Sequence, residues 1–275
     1  TETFSANRYD RPLLHNSFIY QLSNEIGRYA ARTQFVEVFL NTGSGDLSVA
    51  DYAGIYLFME KVKRGGDRID FRKLSQDGTE GGWMINVDRM DPLPIGGIGT
   101  PRHFHTPGPN QILQTANDSP FGVRNIDDRP EWYHSFFNFE SPGGYSINRA
   151  QRAAIEGTMN DFEDALYGPD WTDPALGYAA WIDIDNFIDY VINGHYHAQV
   201  DWPGNYYVIR DRIRGRTDGF KFFTWDNDIP FAGGNPNGGN KVQTSPGHNW
   251  WTESPGEIEI PLRTNVEYRM RFADR

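Results

Sequence analysis

Four oxygen-bearing side chains carry the chemistry most specific to this sequence. Asp201 and Asn205 bound the segment Asp201-Trp-Pro-Gly-Asn205, and Asp226 and Asp228 lie in Trp225-Asp226-Asn227-Asp228. Residues 206 to 210 (Tyr-Tyr-Val-Ile-Arg) read as one strand and residues 220 to 225 (Phe-Lys-Phe-Phe-Thr-Trp) as the next. The polar turn between them suits a hairpin. Arms of similar length put the start of the first strand beside the end of the second, so Asp201 and Asn205 face Asp226 and Asp228. Two carboxylates ~4 Å apart at an effective dielectric of ~20 repel by about 4 kcal/mol. Three such acids stay partly protonated or hold a cation. The chain has no Cys, and no His pair lies near, so the donors are oxygens. That set favours a hard ion, Mg²⁺, Mn²⁺ or Ca²⁺, over Zn²⁺. Taken singly, Asp201 would cap a turn and Asp226 and Asp228 would be solvated at a strand end; the hairpin is what makes them a cluster.

The elements that position these residues follow from periodicity. Leu14, Phe18, Leu22, Ile26 and Tyr29 recur at helical spacing and predict an amphipathic helix over 13–29. Gln34 to Leu40 alternates as a strand, with Ile55 to Val62 as its expected partner and Gly82 to Asp88 as a third strand. Residues 91–128 carry many Pro, Gly and Asn and little period, and read as a long irregular insertion of the kind that is usually functional. Helical patterning returns over 148–167, with Ala154, Thr158, Phe162, Ala165 and Leu166 on one side, and Gly168-Pro169 ends it. A helix over 183–197, capped by Asp183 or Asp185, delivers the chain to Asp201. A Gly/Asn loop spans 232–248, and Ile260 to Arg275 reads as one last helix.

The 275 residues suffice for one large domain or two intimate lobes with a real core. Net charge is -11, which argues against a nucleic-acid partner. The absence of Cys excludes disulfides and a thiol nucleophile. No run approaches the ~20 apolar residues of a membrane helix. The chain opens on Thr1 with no leader signature and is expected to be a piece of a larger domain. His195 and His197 stand two apart near a helix end, where metal ligands prefer a spacing of four, so they read as structural. His103 and His105 read as solvated.

An Asp, an Asn a few residues on, and a second Asp after the next strand pair follow the logic of protein-kinase sites. The spacing here, D-x-x-x-N, is one residue shorter than the usual kinase D-x-x-x-x-N. There is no Gly-x-Gly-x-x-Gly loop, and the second Asp lies in Trp-Asp-Asn-Asp, not Asp-Phe-Gly. The chain instead resembles the CotH kinase family, atypical kinases first associated with bacterial spore-coat proteins. Gly54-Ile-Tyr-Leu-Phe-Met-Glu60-Lys-Val-Lys63 resembles its G-x-Y-x-L-x-E-x-V strand, and Gly81-Gly-Trp-Met-Ile-Asn-Val-Asp88-Arg89 its strand ending in Asp-Arg. Asp183-Ile-Asp-Asn-Phe-Ile-Asp-Tyr190 resembles the helix before the catalytic loop, and Asp201, Asn205-Tyr-Tyr and Trp225-Asp226-Asn-Asp228 the family's most characteristic motifs.

The resemblance implies an α+β, atypical protein-kinase-like fold: a small β-rich N-terminal lobe (1–90), the insertion (91–128), and a larger helical C-terminal lobe with the active-site hairpin (129–275). It implies an ATP-dependent phosphotransferase using Mg²⁺ or Mn²⁺ and acting on a protein substrate at a Ser or Thr hydroxyl, Ser foremost. Asp201 is then the catalytic residue, and Asn205, Asp226 and Asp228 are metal ligands. Glu60, on an apolar face and so in need of a partner, is expected at the nucleotide with a phosphate-binding Lys. The strand carrying that Lys is expected upstream of Thr1; Lys63 and Arg64 either touch the phosphates or form a solvated strand end. Arg68 and Arg89 either clamp phosphate or form an internal ion pair. Two readings from other classes stay open. One is a carbohydrate-active enzyme, for which eight Trp residues and spaced acids such as Glu60 or Glu140 would serve. The other is a non-catalytic surface module holding a structural Ca²⁺.

Overall fold

The computed structural model describes residues 2–5, 10, 12–88, 103–104, 136–144, 146–197, 206–210, 219–228 and 256–275. Its elements are β1 (Glu2–Ser5), α1 (Leu14–Glu25), β2 (Thr33–Phe39), β3 (Tyr52–Glu60), β4 (Trp83–Asp88), β5 (His103–Phe104), β6 (Phe136–Ser141), α2 (Arg149–Tyr167), α3 (Ile184–Tyr196), β7 (Tyr206–Arg210), β8 (Phe220–Thr224), α4 (Gly256–Leu262) and α5 (Val266–Asp274). The class is α+β, with two small antiparallel sheets ordered β1-β3-β2 and β5-β6-β4-β7-β8. No helix among the described residues is long and apolar enough to cross a membrane.

The expected pairing of the first two long strands is present, with Val36 opposite Tyr56. β1, which periodicity does not reveal, lines the other edge of β3. β4 does not join them. It pairs with β6 on one side and β7 on the other, in the middle of the sheet that carries the hairpin. Most of the insertion at 91–128 and all of the loop at 232–248 lie outside the described residues, as do His105 and Arg89.

The five-stranded sheet is buried on both faces. Trp83 and Ile85 of β4, Val208 of β7, and Phe220 and Phe222 of β8 pack on one face against Ile155, Met159 and Phe162 of α2 and Phe187, Ile188 and Val191 of α3. The alternate residues Met84, Ile209 and Phe223 join a second cluster with Leu13, Tyr20, Leu57 and Met59. The period of two in a strand is what sends neighbours to opposite layers.

Local chemistry sets the helix ends. Asn148 caps α2 in a reciprocal box with Gln151, and Asp183, not Asp185, caps α3 by accepting the Asn186 N–H at 3.0 Å. The single C-terminal helix expected over 260–275 is two, because Asn265 caps a new start at Val266.

α1 exists where the period places it, but its expected apolar stripe faces outward. Leu14, Phe18 and Ile26 are 53%, 45% and 45% exposed, while Asn16, Ile19, Tyr20 and Ser23 are buried. Buried polar groups need partners. Those of Asn16 and Tyr20 are found more than two hundred residues away, at the candidate site.

Candidate phosphotransfer site

The hairpin forms as the sequence predicts, in a register that sets Tyr206 opposite Thr224. Asp226 follows two residues beyond that pair. Asp201 and Asn205 lie outside the described residues.

β8 is an edge strand, and its outer edge is covered by α3 and the turn before it. The Asn186 side chain accepts the Phe222 N–H at 2.6 Å and donates to the Phe222 carbonyl at 3.2 Å. Phe220 exchanges backbone bonds with Trp181 and Asp183 at 2.6 and 3.0 Å. An amide side chain thus takes the place of a neighbouring strand, and the helix that leads to Asp201 is bonded to the strand that leads to Asp226.

Beyond β8 the backbone turns sharply. Asp226 has φ 53°, the left-handed region that side chains seldom enter and Asp tolerates better than most. Its N–H donates to the Tyr20 hydroxyl at 3.0 Å. The next N–H, of Asn227, donates to Asn16 Oδ1 at 2.7 Å. The Asp228 carbonyl lies 3.2 Å from His15 Nδ1, which must therefore be the protonated nitrogen. Asn227 is wholly buried and its Oδ1 accepts from Thr224 Oγ1 at 2.9 Å. Asp228 is 9% exposed.

The floor of the site is His197. Its Nδ1 meets the Asn193 carbonyl and its Nε2 lies 2.9 Å from the Asn227 side-chain amide. Burial pushes its pKa down to about 4, so the ring is neutral at neutral pH. A neutral ring has one N–H, which Nδ1 gives to the Asn193 carbonyl. His195 is likewise held at about 4 by burial and by the charge of Arg263. His197 supports the Asp226–Asp228 segment from below, in keeping with the structural reading.

Glu60, 7% exposed at the end of β3, has found partners other than a Lys. Arg32 reaches both its oxygens through Nε at 3.2 and 3.1 Å and adds Nη2 at 2.9 Å. The Arg32 backbone N–H donates at 3.1 Å, the Tyr29 hydroxyl at 3.3 Å, and Arg68 Nε closes the far side at 3.3 Å. Burial alone would raise this carboxyl. The hydrogen bonds and charge of Arg32, with the charge of Arg68, outweigh it and hold Glu60 below its ordinary range. A planar guanidinium covers two carboxylate oxygens where an ammonium is a single point. Arg68 thereby resolves as an internal ion pair, while Lys63 stands half-buried just past β3. The Tyr29 ring meets Phe223 edge-on at 5.8 Å, and Tyr20 stacks on Trp225 at 6.2 Å, so the Glu60 cluster and the Asp226 segment border one apolar core.

Of the six residues the resemblance assigns to the site, Asp226, Asp228, Glu60 and Lys63 are described. Among the described residues no three His, Asp or Glu side chains come together as a metal group. Residues the sequence reading passed over are His15, Asn16, Tyr20 and Arg32. The signal for two of them was present: Asn16 and Tyr20 are four apart, on a helix face that would be too polar to bury unless its groups were bonded. A search of curated proteins gives no match. The family profile described as CotH kinase protein matches residues 3–257, a span that takes in both the Glu60 cluster and the segment turned at Asp226, and the chain belongs to that family.

Proposed function

We propose that this protein transfers the γ-phosphoryl group of ATP to a Ser, or alternatively Thr, hydroxyl of a protein substrate, within a kinase-like two-lobed architecture. Membership of a family of kinase-like phosphotransferases supplies the reaction class. The observation that carries the residue assignment is the left-handed Asp226, held by side chains of a distant helix between a fully buried Asn227 and the end of β8. Strained backbone over-determined by its surroundings is a mark of functional sites.

The oxygen donors of Asp226 and Asp228 fit a hard divalent ion, Mg²⁺ or Mn²⁺, with Asn205 as a further ligand. Such an ion supplies neutralisation of charge across the phosphates. Asp201 orients the acceptor hydroxyl and takes its proton as the new O–P bond forms and the bond from the γ-phosphorus to the β-bridging oxygen breaks, releasing ADP. In this reading Glu60 and Lys63 serve the nucleotide. The carbohydrate-active reading needs a general acid with a raised carboxyl pKa, and Glu60 is held low by two arginines.

The test is calorimetric titration of ATP with Mg²⁺ or Mn²⁺ into the protein, Asp226→Ala and Asp201→Ala, beside phosphotransfer to a mixture of Ser- and Thr-containing proteins. Asp226→Ala should lose metal-dependent nucleotide binding. Asp201→Ala should keep binding and lose transfer. Metal-independent binding in both variants would remove these residues from the reaction.

A further inference from the structure

α1 makes an unusual use of its buried face. Three of its side chains bond three consecutive residues of one distant segment: Tyr20 takes the Asp226 N–H, Asn16 the Asn227 N–H, and His15 the Asp228 carbonyl. Tyr20 and Asn16 are 1% and 4% exposed, so these bonds are made away from competing water. The helix itself is fixed at both ends. Asp10 accepts the N–H groups of Leu14 and His15 at 3.1 and 2.8 Å, and Asn24 ties the last turn to the Ala30 carbonyl at 3.1 Å. α1 is therefore a rigid template against which Asp226 is turned.

We infer that Tyr20 and Asn16 are positioning residues for divalent-metal binding. By accepting two successive N–H groups they hold Asp226 in its left-handed conformation and aim its carboxylate. Without them the segment relaxes to ordinary backbone angles, and the Asp226 carboxylate loses its fixed direction. This rests on the metal-dependent phosphotransfer reading above, and it concerns how that site is built, not what reaction it runs.

The experiment is Mn²⁺ binding followed by electron paramagnetic resonance on the 275-residue chain, with the melting temperature measured without metal for each variant. Tyr20→Phe removes only the hydroxyl and keeps the ring stacked on Trp225. Asn16→Ala removes the acceptor, and Asn16→Asp restores an oxygen in the same place. Supporting groups of this kind are worth about 10- to 100-fold in metal affinity. Tyr20→Phe and Asn16→Ala should each weaken Mn²⁺ by about tenfold or more, while Asn16→Asp binds at least as tightly as the unaltered chain. Wild-type affinity in Tyr20→Phe and Asn16→Ala, with Asp226→Ala unable to bind, would overturn the positioning role and leave the metal site standing. So would a lowered melting temperature in both variants at unchanged affinity. No Mn²⁺ binding by the unaltered chain would remove the metal site and the positioning role together.

Discussion

Asp189, midway along α3, accepts Arg28 Nε at 2.6 Å and Arg275 Nε at 2.8 Å, one through each carboxylate oxygen. Arg28 follows α1 and Arg275 follows α5, so one carboxylate joins three separate stretches of chain. Burial would raise it, but the bonds from Arg275 and Arg28 and their charges dominate and hold it below its ordinary range. Removing one partner from a fully buried pair costs roughly 3–5 kcal/mol; with Arg28 24% and Arg275 38% exposed, Asp189→Asn should cost about 2 kcal/mol. Urea unfolding measures it. Arg28→Ala and Arg275→Ala together should cost more than the sum of the two singly, because each single variant leaves Asp189 a partner and the double leaves its buried carboxylate without either arginine; strict additivity would show that the two arginines do not share it.

The two buried histidines predict the pH dependence of stability. Both have folded pKa values of about 4, below the ordinary value of 6.5. The unfolded chain takes up protons at these sites first as pH falls. Their contribution is complete above about pH 6.5 and is lost as pH drops toward about 4. Carboxylates ordinarily enter only below about pH 4.5, Glu259 excepted because burial raises it, so His195→Gln is what isolates the histidine share of the loss between pH 6.5 and 5. His195→Gln should reduce the slope of stability against pH in that window by close to one proton. A stability curve flat from pH 7 to 5 would contradict the burial of these rings.

Glu60 has the opposite company and an adjacent window. Its carboxyl is held low, so its contribution is complete above about pH 4.5 and is lost as pH falls through the folded value. Glu60→Gln keeps the shape and removes the charge that Arg68, 15% exposed, depends on. Hydrogen bonds to charged groups are worth about 1.5–3 kcal/mol, and exposure of Arg32 at 64% lowers the expected loss to about 1–2 kcal/mol. The variant should also lose less stability than the parent between pH 5 and 3. Equal acid sensitivity would place the charge-dependent stability elsewhere.

What was legible in the sequence divides by the range of the interaction that decides it. The hairpin of β7 and β8, the cap at Asp183, and the pairing of β2 with β3 are written in local alternation and turn chemistry, and they stand where the residues imply. β4 carries its own signal: Trp83-Met-Ile85 is apolar at successive positions, the mark of a strand buried on both faces, and it lies mid-sheet between β6 and β7. The face of α1 was not legible by periodicity, because Leu14 and Phe18 form the more apolar stripe and Asn16 is buried only by virtue of the Asn227 N–H. Arg32 is a similar case. Nothing near it in sequence identifies a partner, and Glu60 is reached only because β2 and β3 are paired.

Gly219 tests how closely the helix leading toward Asp201 must sit on the strand leading to Asp226. Its φ is 71°, and an added Cβ would lie 2.5 Å from the Ile182 carbonyl carbon and 2.6 Å from the Asp183 nitrogen. Those atoms belong to the cap of α3, and the contact they make with β8 includes the Phe220 N–H bond to Trp181 at 2.6 Å and the Asp183 N–H bond to Phe220 at 3.0 Å. Backbone cannot move aside as a side-chain end can. Gly219→Ala should therefore cost about 2–3 kcal/mol, combining the strain of a positive φ with separation of the two elements. Amide exchange read by mass spectrometry adds location to the magnitude: protection should fall at residues 182–187 and 220–224 together, since Asn186 also covers the Phe222 edge. Loss confined to the turn around residue 219 would mean that α3 and β8 are held together by their apolar contacts alone, and that the close backbone approach is incidental to how the two halves of the candidate site are aligned.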